Sequence, residues 1–263
     1  MKILASDFDG TIFYRHHDYA DPRDDRDAFV RRGFRDADLE AIARFQAEGN
    51  KFGICSGRSV DMVTDNLPPE LKLDFIIGSS GAAIFDAEGN PIYETFMPDA
   101  SAREVMAKFP YECMGVITSQ GVYQAKVDPF LMTGAKQLDE LKPEEGEHFI
   151  GISGVIGTPE SARALKEKLD PIEGIEVFQN KDCLDIVPEG CSKGVGLQTL
   201  AKHYGCERQD TFAIGDSYND LPMLEAAGFS FTFPESPASV RNTAGGLADT
   251  VADAIGVIES LQD

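Results

Sequence analysis

Two aspartates, Asp7 and Asp9, stand one residue apart at the end of the short apolar run in MKILASDFDGT. In extended backbone, side chains two apart face the same side, so their carboxylates can converge on one point. Carboxylates that close repel each other unless a proton or a cation is shared between them. Three further groups of chemistry-bearing residues occur at similar junctions: Ser56-Gly57-Arg58, Ser192-Lys193-Gly194, and Gly215-Asp216-Ser217-Tyr218-Asn219-Asp220. Each also has a plain structural reading. Asp-x-Asp at a strand end is commonly a turn or cap, and Ser56 could cap the helix after it. A lysine near a helix start usually faces solvent, and Asp216 or Asp220 could be a helix cap. Their joint occurrence, in order and at element junctions, is what points to a site.

The elements around these groups alternate. KILAS reads as a strand, DADLEAIARFQAEGN as a helix capped at Asp36 and stopped at Gly49, KFGICS as a strand, SVDMVTDNL as a short helix and LDFIIG as a strand. Strand, helix, strand in succession implies parallel strands with right-handed crossovers, and ligands of open parallel sheets gather at the carboxyl ends of the strands. The middle differs. Hairpins are expected in AIFDAEGNPIYET and MGVITSQGVYQAKV, followed by the strand HFIGISGVIG, a helix over 159–169, and the strands GIEVFQN and CLDIVP. The alternating pattern resumes after Pro188 with a helix from Ser192, the strand TFAIG, a helix through NDLPMLEAAG, the strand FSFTF and a terminal helix. The expected fold class is α/β: a Rossmann-like parallel-sheet core from residues 1–82 and 187–263, interrupted by an inserted α+β cap at 83–186. Residues 14–36 are dense in charge and lack periodicity, which suggests a solvated excursion beside the site. Adjacent His16 and His17, with Asp18, lack a third ligand at a usual metal spacing.

Composition narrows the partners. The chain has 263 residues, enough for one large domain or two ordinary ones. A net charge of −21 argues against nucleic acid or an anionic membrane as partner, and a small anionic substrate would need local positive charge. Five cysteines without a CxxC pair suit free thiols in a reducing compartment. Neither a secretory leader nor an apolar run of membrane-spanning length is evident, so a cytoplasmic location is expected.

DFDGT, CSGR, CSKGVGL and GDSYNDLPML, in that order, resemble the four signature motifs of the haloacid dehalogenase superfamily, and the position of the insert resembles its Cof-type, sugar-phosphatase-like branch with a type IIB cap. The resemblance implies a Mg²⁺-dependent phosphatase acting on a small phosphorylated metabolite, most simply a sugar phosphate. Asp7 would attack phosphorus, and Asp9 would serve as acid and then base. Ser56 and Lys193 would neutralise the phosphoryl group. Mg²⁺ would be held by Asp7, the Asp9 carbonyl and Asp216, with Asp220 or Asn219 bracing the metal shell or holding Lys193. Gly10, Thr11 and Gly57 join them around the substrate, with Gly10 and Gly215 giving the backbone access to phosphate and Thr11 orienting the motif loop, while Arg58 could grip the substrate or the cap, or form only a surface salt bridge. Ser80-Gly81 replaces the branch's usual Asn-Gly where the chain leaves for the cap, and Phe233-Pro234-Glu235-Ser236 replaces its Met-Gly-Asn-like stretch. A phosphomutase would use the same motifs. A non-catalytic phospho-accepting regulatory module would share the aspartate chemistry, but it is about half this length and lacks an equivalent of Asp9.

Overall fold

The computed structural model describes residues 1–14, 29–30, 33–126, 134–142 and 147–261. The tract containing His16, His17 and Asp18 lies outside them. In chain order the first half of the core runs β1 (Ile3–Ser6), the ribbon β2 (Phe29–Val30) and β3 (Phe34–Arg35), α1 (Asp36–Ala47), β4 (Lys51–Cys55), α2 (Val60–Thr64), β5 (Phe75–Gly78), β6 (Ala83–Asp86) and β7 (Pro91–Glu94). The cap follows with α3 (Asp99–Lys108), β8 (Gly115–Thr118), β9 (Gly121–Gln124), β10 (Lys136–Gln137), β11 (Phe149–Val155), α4 (Pro159–Leu169), β12 (Ile175–Asn180) and β13 (Cys183–Pro188). The chain returns through α5 (Lys193–Tyr204), β14 (Thr211–Ile214), α6 (Leu221–Ala226), β15 (Phe229–Thr232), α7 (Ala238–Thr243), β16 (Gly246–Leu247) and α8 (Val251–Ser260).

The core sheet has the order β16-β15-β14-β1-β4-β5-β6-β7, parallel from β16 to β5 and antiparallel at β6 and β7. Both faces are covered, which is why β1 is apolar without alternation. Leu4 packs with Phe45, Phe52 and Ile255 on one face, and Ile3 and Ala5 with Leu197 and Met223 on the other. Burying each such large side chain contributes about 2 kcal/mol. The order reverses at β1, whose neighbours are β4 on one side and β14 on the other, so a crevice opens there at the strand ends.

The hairpin β6–β7, expected to open the inserted module, instead extends the core sheet as its antiparallel edge. The boundary drawn at 83 therefore falls inside the core, and the second sheet begins only after β7. A local hairpin pattern does not say which sheet its edge will join, and pairing with β5 decides that here. The second sheet has the order β10-β9-β8-β11-β13-β12, with β11 antiparallel to both β8 and β13. Helices α3 and α4 cover it through Ala102, Val105, Ala162, Leu165 and Leu169. Helix α3 was not anticipated from the sequence.

Candidate active site

Register sets the stage. Ser6 pairs with both Ile214 and Ile54, so β1, β14 and β4 end level with one another. Asp7 and Ser56 follow their strands directly and Asp216 comes one residue later, after Gly215, and the Asp7 N–H is anchored on the Ile214 carbonyl at 2.8 Å. Lys193 arrives from a different direction, as the first residue of α5, whose N-cap Ser192 accepts the Val195 N–H through its hydroxyl. Its ammonium is 1% exposed, donating to Asp7 Oδ1 at 2.5 Å and Asp220 Oδ1 at 2.6 Å. The solvent-facing reading of this lysine does not hold.

Asp220 settles into one task. Oδ1 takes the lysine, and Oδ2 accepts the main-chain N–H groups of Asp216 and Ser217, each at 3.0 Å. The carboxylate thus ties the Gly215–Asp220 loop to Lys193. Asn219, half-buried, faces the cavity instead. Thr11 is buried, and its hydroxyl lies 3.4 Å from Asp216 Oδ1 as donor. Gly10, at φ +84°, sits where a Cβ would fall 3.1 Å from Asp216 Oδ2, and a Cβ on Gly215 would fall 2.5 Å from the Asp220 carboxyl carbon. Both glycines make room for carboxylates.

Carboxylate oxygens of Asp7, Asp216 and Asp220 lie within 4.8 Å of one another. Burial holds the Asp7 carboxyl well above its ordinary range. Repulsion from Asp220 and Asp216 adds to this, while Lys193 opposes it. Burial and Asp220 likewise push Asp216 up to about 6. Burial alone would lower Lys193, yet Asp220 and Asp7 hold its ammonium above the lysine range. Three acids against one ammonium leave unneutralised negative charge, and an all-oxygen donor set suits a hard divalent cation such as Mg²⁺.

Ser59, not Ser56, caps α2, its hydroxyl accepting the Met62 N–H. Ser56 is buried at the end of β4, where its Oγ accepts the Arg58 N–H at 3.2 Å and lines the cavity. Arg58, 8% exposed, grips Asp9 in a bidentate pair, Nε to Oδ2 and Nη2 to Oδ1, both at 2.6 Å. Its guanidinium carbon also lies 5.2 Å from the Phe8 ring centroid and 5.6 Å from that of Phe13. The guanidinium is buried and oriented by two rings, while the Asp9 side chain stays 42% exposed at the cavity.

The cavity between the two sheets has a volume of about 660 Å³, with Asp7, Asp9, Ser56, Gly57, Arg58 and Asn219 contributed by the core. The cap contributes Asn180 and Asp185 among others, residues that sequence reasoning had not singled out. A polar residue inside the apolar strand CLDIVP was the available signal for Asp185. The Ser217 hydroxyl donates to Asn180 Oδ1 at 2.7 Å, so the β12–β13 turn is hydrogen-bonded to the loop that carries Asp216.

A family model described as haloacid dehalogenase-like hydrolase matches residues 4–261. The chain is 27% identical over 242 residues to the HMP-PP phosphatase of Yersinia pestis (strain Pestoides F), covering 86% of this chain and 81% of the relative. It is also 27% identical over 242 residues to the HMP-PP phosphatase of Klebsiella pneumoniae (strain 342), covering 88% and 83%. Among solved structures, a HAD/COF-like hydrolase from Plasmodium vivax superposes with a TM-score of 0.81 at 18% identity, covering 99% of this chain and 96% of that one. A HAD subclass IIB sugar phosphatase superposes with a TM-score of 0.72 at 20% identity, covering 100% and 98%. At such identities the structural likeness speaks for the fold. The family match runs through both halves of the interrupted core, and the chain belongs to the haloacid dehalogenase-like hydrolases.

Proposed function

We propose that the protein hydrolyses a small phosphorylated metabolite, with a sugar phosphate as the simplest candidate, through an aspartyl-phosphate on Asp7 and with Mg²⁺ as cofactor. The observation that carries this reading is the buried bridge of Lys193 between Asp7 and Asp220, set beside Asp216 at the crevice where the strand order reverses. Lys193 fixes one oxygen of Asp7, and Oδ2 has no hydrogen-bond donor among the described residues, so a carboxylate oxygen remains to attack phosphorus. As the Asp7–phosphorus bond forms, the ester oxygen–phosphorus bond breaks, and the departing alkoxide takes a proton from Asp9. Water then attacks phosphorus and gives its proton to Asp9, and the Asp7–phosphorus bond breaks to release inorganic phosphate. Asp9 has to exchange Arg58 for the ester oxygen during this cycle, since both its oxygens are held in the structure. Ser56 donates to a phosphoryl oxygen and Lys193 adds charge beside it. Mg²⁺ would be held by Asp7, Asp216 and the main-chain carbonyl of Asp9, with Asp220 behind them, supplying positive charge to a phosphoryl group entering an acidic pocket. Phosphate release measured across a panel of phosphorylated metabolites, with and without Mg²⁺, tests the reading. Turnover of at least one small phosphomonoester only with the metal present is expected, and full turnover in a chelator overturns the metal role.

A further inference from the structure

Asp185 lies in the middle of β13, paired across the sheet with Ser153, and both residues line the cavity. It reaches the core at Gly57, where a Cβ would fall 2.7 Å from Asp185 Oδ2. The cap therefore sets a carboxylate directly on the loop between Ser56 and Arg58. Asp185 is half-buried, and among the described residues no hydrogen bond or ion pair reaches it. Burial pushes its carboxyl up to about 6. Lys193 pulls in the opposite direction, and the charge of Asp9 adds to the rise. Neither nearby cation reaches it as a partner: Arg58 commits Nε and Nη2 to Asp9 and leaves its buried Nη1 without an acceptor, and the Lys193 ammonium is enclosed between Asp7 and Asp220. On the cap side the other charged residues lining the cavity are Glu112 and Lys126, which leaves that side with one excess negative charge when Asp185 is ionised. A partly desolvated carboxylate without a donor is costly unless something supplies one, and the cavity is where a donor can enter.

We propose that Asp185 is a specificity-determining residue that accepts a hydrogen bond from the leaving group, selecting phosphomonoesters that present a hydroxyl or ammonium there and disfavouring those with a second anionic group. This rests on the phosphatase reading above. An anionic leaving group would bring like charge against Asp185 at short range in a site partly shielded from water, where repulsion is strong. The test is the ratio of kcat/KM values within each enzyme, measured with Mg²⁺ on glucosamine 6-phosphate, glucose 6-phosphate and 6-phosphogluconate, with p-nitrophenyl phosphate as a donor-free ester. The wild type is expected to favour the amine- and hydroxyl-bearing esters over 6-phosphogluconate by about tenfold or more. Asp185→Asn should shrink that ratio to within about threefold and Asp185→Lys should invert it, by removal and reversal of the charge. Circular dichroism checks that each variant is folded, and the near-isosteric asparagine decides the matter if the lysine variant is not. Equal kcat/KM values in the wild type, or a full ratio retained in Asp185→Asn, overturn the proposal. Turnover of p-nitrophenyl phosphate without turnover of any hexose phosphate overturns it as well, while leaving the phosphatase reading standing. Failure on all four esters overturns the proposal, and the wider metabolite panel then decides the phosphatase reading.

Discussion

A lysine at the first position of a helix ordinarily reaches into water, and Lys193 does not, because Asp7 and Asp220 receive its ammonium on two sides. Removing the Asp7 charge alone therefore tests chemistry with little effect on packing. Asp7→Asn keeps the volume and a carbonyl oxygen for Lys193, and it relieves the like-charge crowding with Asp216 and Asp220 that raises the Asp7 pKa. The expected outcome is phosphate release reduced more than about a thousandfold with an unchanged circular dichroism spectrum, since the proposed nucleophile is lost and no other carboxylate stands in its position. Turnover within tenfold of the wild type would refute the assignment. At this scale much was legible in the sequence. Asp7, Asp9, Ser56, Lys193, Asp216 and Asp220 are all at or beside the cavity, and each can be located from a strand end or helix start in consecutive residues. The choice between Asp220 and Asn219 as holder of Lys193 was not legible, since adjacent residues in a tight turn point in different directions and only the turn geometry selects one.

Between elements, two contacts make predictions. Asp38 in α1 is fully buried, and its Oδ1 accepts the Ala252 N–H at the start of α8 at 2.7 Å. Burial pushes its carboxyl up to about 6, partly offset by the hydrogen bond from Ala252. The folded state therefore keeps a proton that the unfolded chain gives up near pH 4, so the stability contributed by the neutral form is lost as pH rises from about 4 through 6. Asp38→Asn keeps the acceptor but does not ionise. Its stability relative to the wild type should improve by about 2 kcal/mol between pH 4.5 and pH 8, read from urea unfolding at the two pH values. The second contact is at Gly81, where the branch's Asn-Gly is replaced by Ser80-Gly81. Gly81 has φ +99°, and a Cβ there would lie 2.3 Å from the Ser192 carbonyl oxygen. Ser79 and Ser80 precede it in the left-handed region as well. Gly81→Ala should cost about 1–3 kcal/mol through backbone strain and, by displacing the start of α5, lower kcat as Lys193 shifts. A stable variant with wild-type kcat would show that Gly81 does not position Lys193.

At the scale of the whole molecule, the site is a meeting of two sheets. The acidic cluster belongs to the core, while Asp185 and Asn180 come from the cap, and a chain of net charge −21 sets two buried cations, Lys193 and Arg58, beside that cluster. No helix among the described residues is long and apolar enough to cross a membrane. Metal binding should be visible as a global property. A cation bound only by the folded state stabilises it by about 2.7 kcal/mol at one hundred times its dissociation constant. Adding Mg²⁺ to chelator-treated protein should raise the melting temperature by several degrees and restore activity, and Asp216→Asn should show a much smaller shift. A wild-type melt that Mg²⁺ leaves in place would count against the metal site.

The sequence by itself determined which residues could carry the chemistry and that they sit on an α/β core, because strand ends, caps and apolar runs are written in neighbouring positions. It also announced an insert of different character, though not its edge, since the hairpin β6–β7 follows the same local rules in either sheet. Only the tertiary structure decided the partnerships: Lys193 with Asp7, 186 residues away, Arg58 with Asp9, 49 residues away, and the cap's Asp185 against Gly57. Such pairs depend on strand order, register and the docking of one sheet over another, which are set by the burial of many side chains at once and leave no periodicity in the chain.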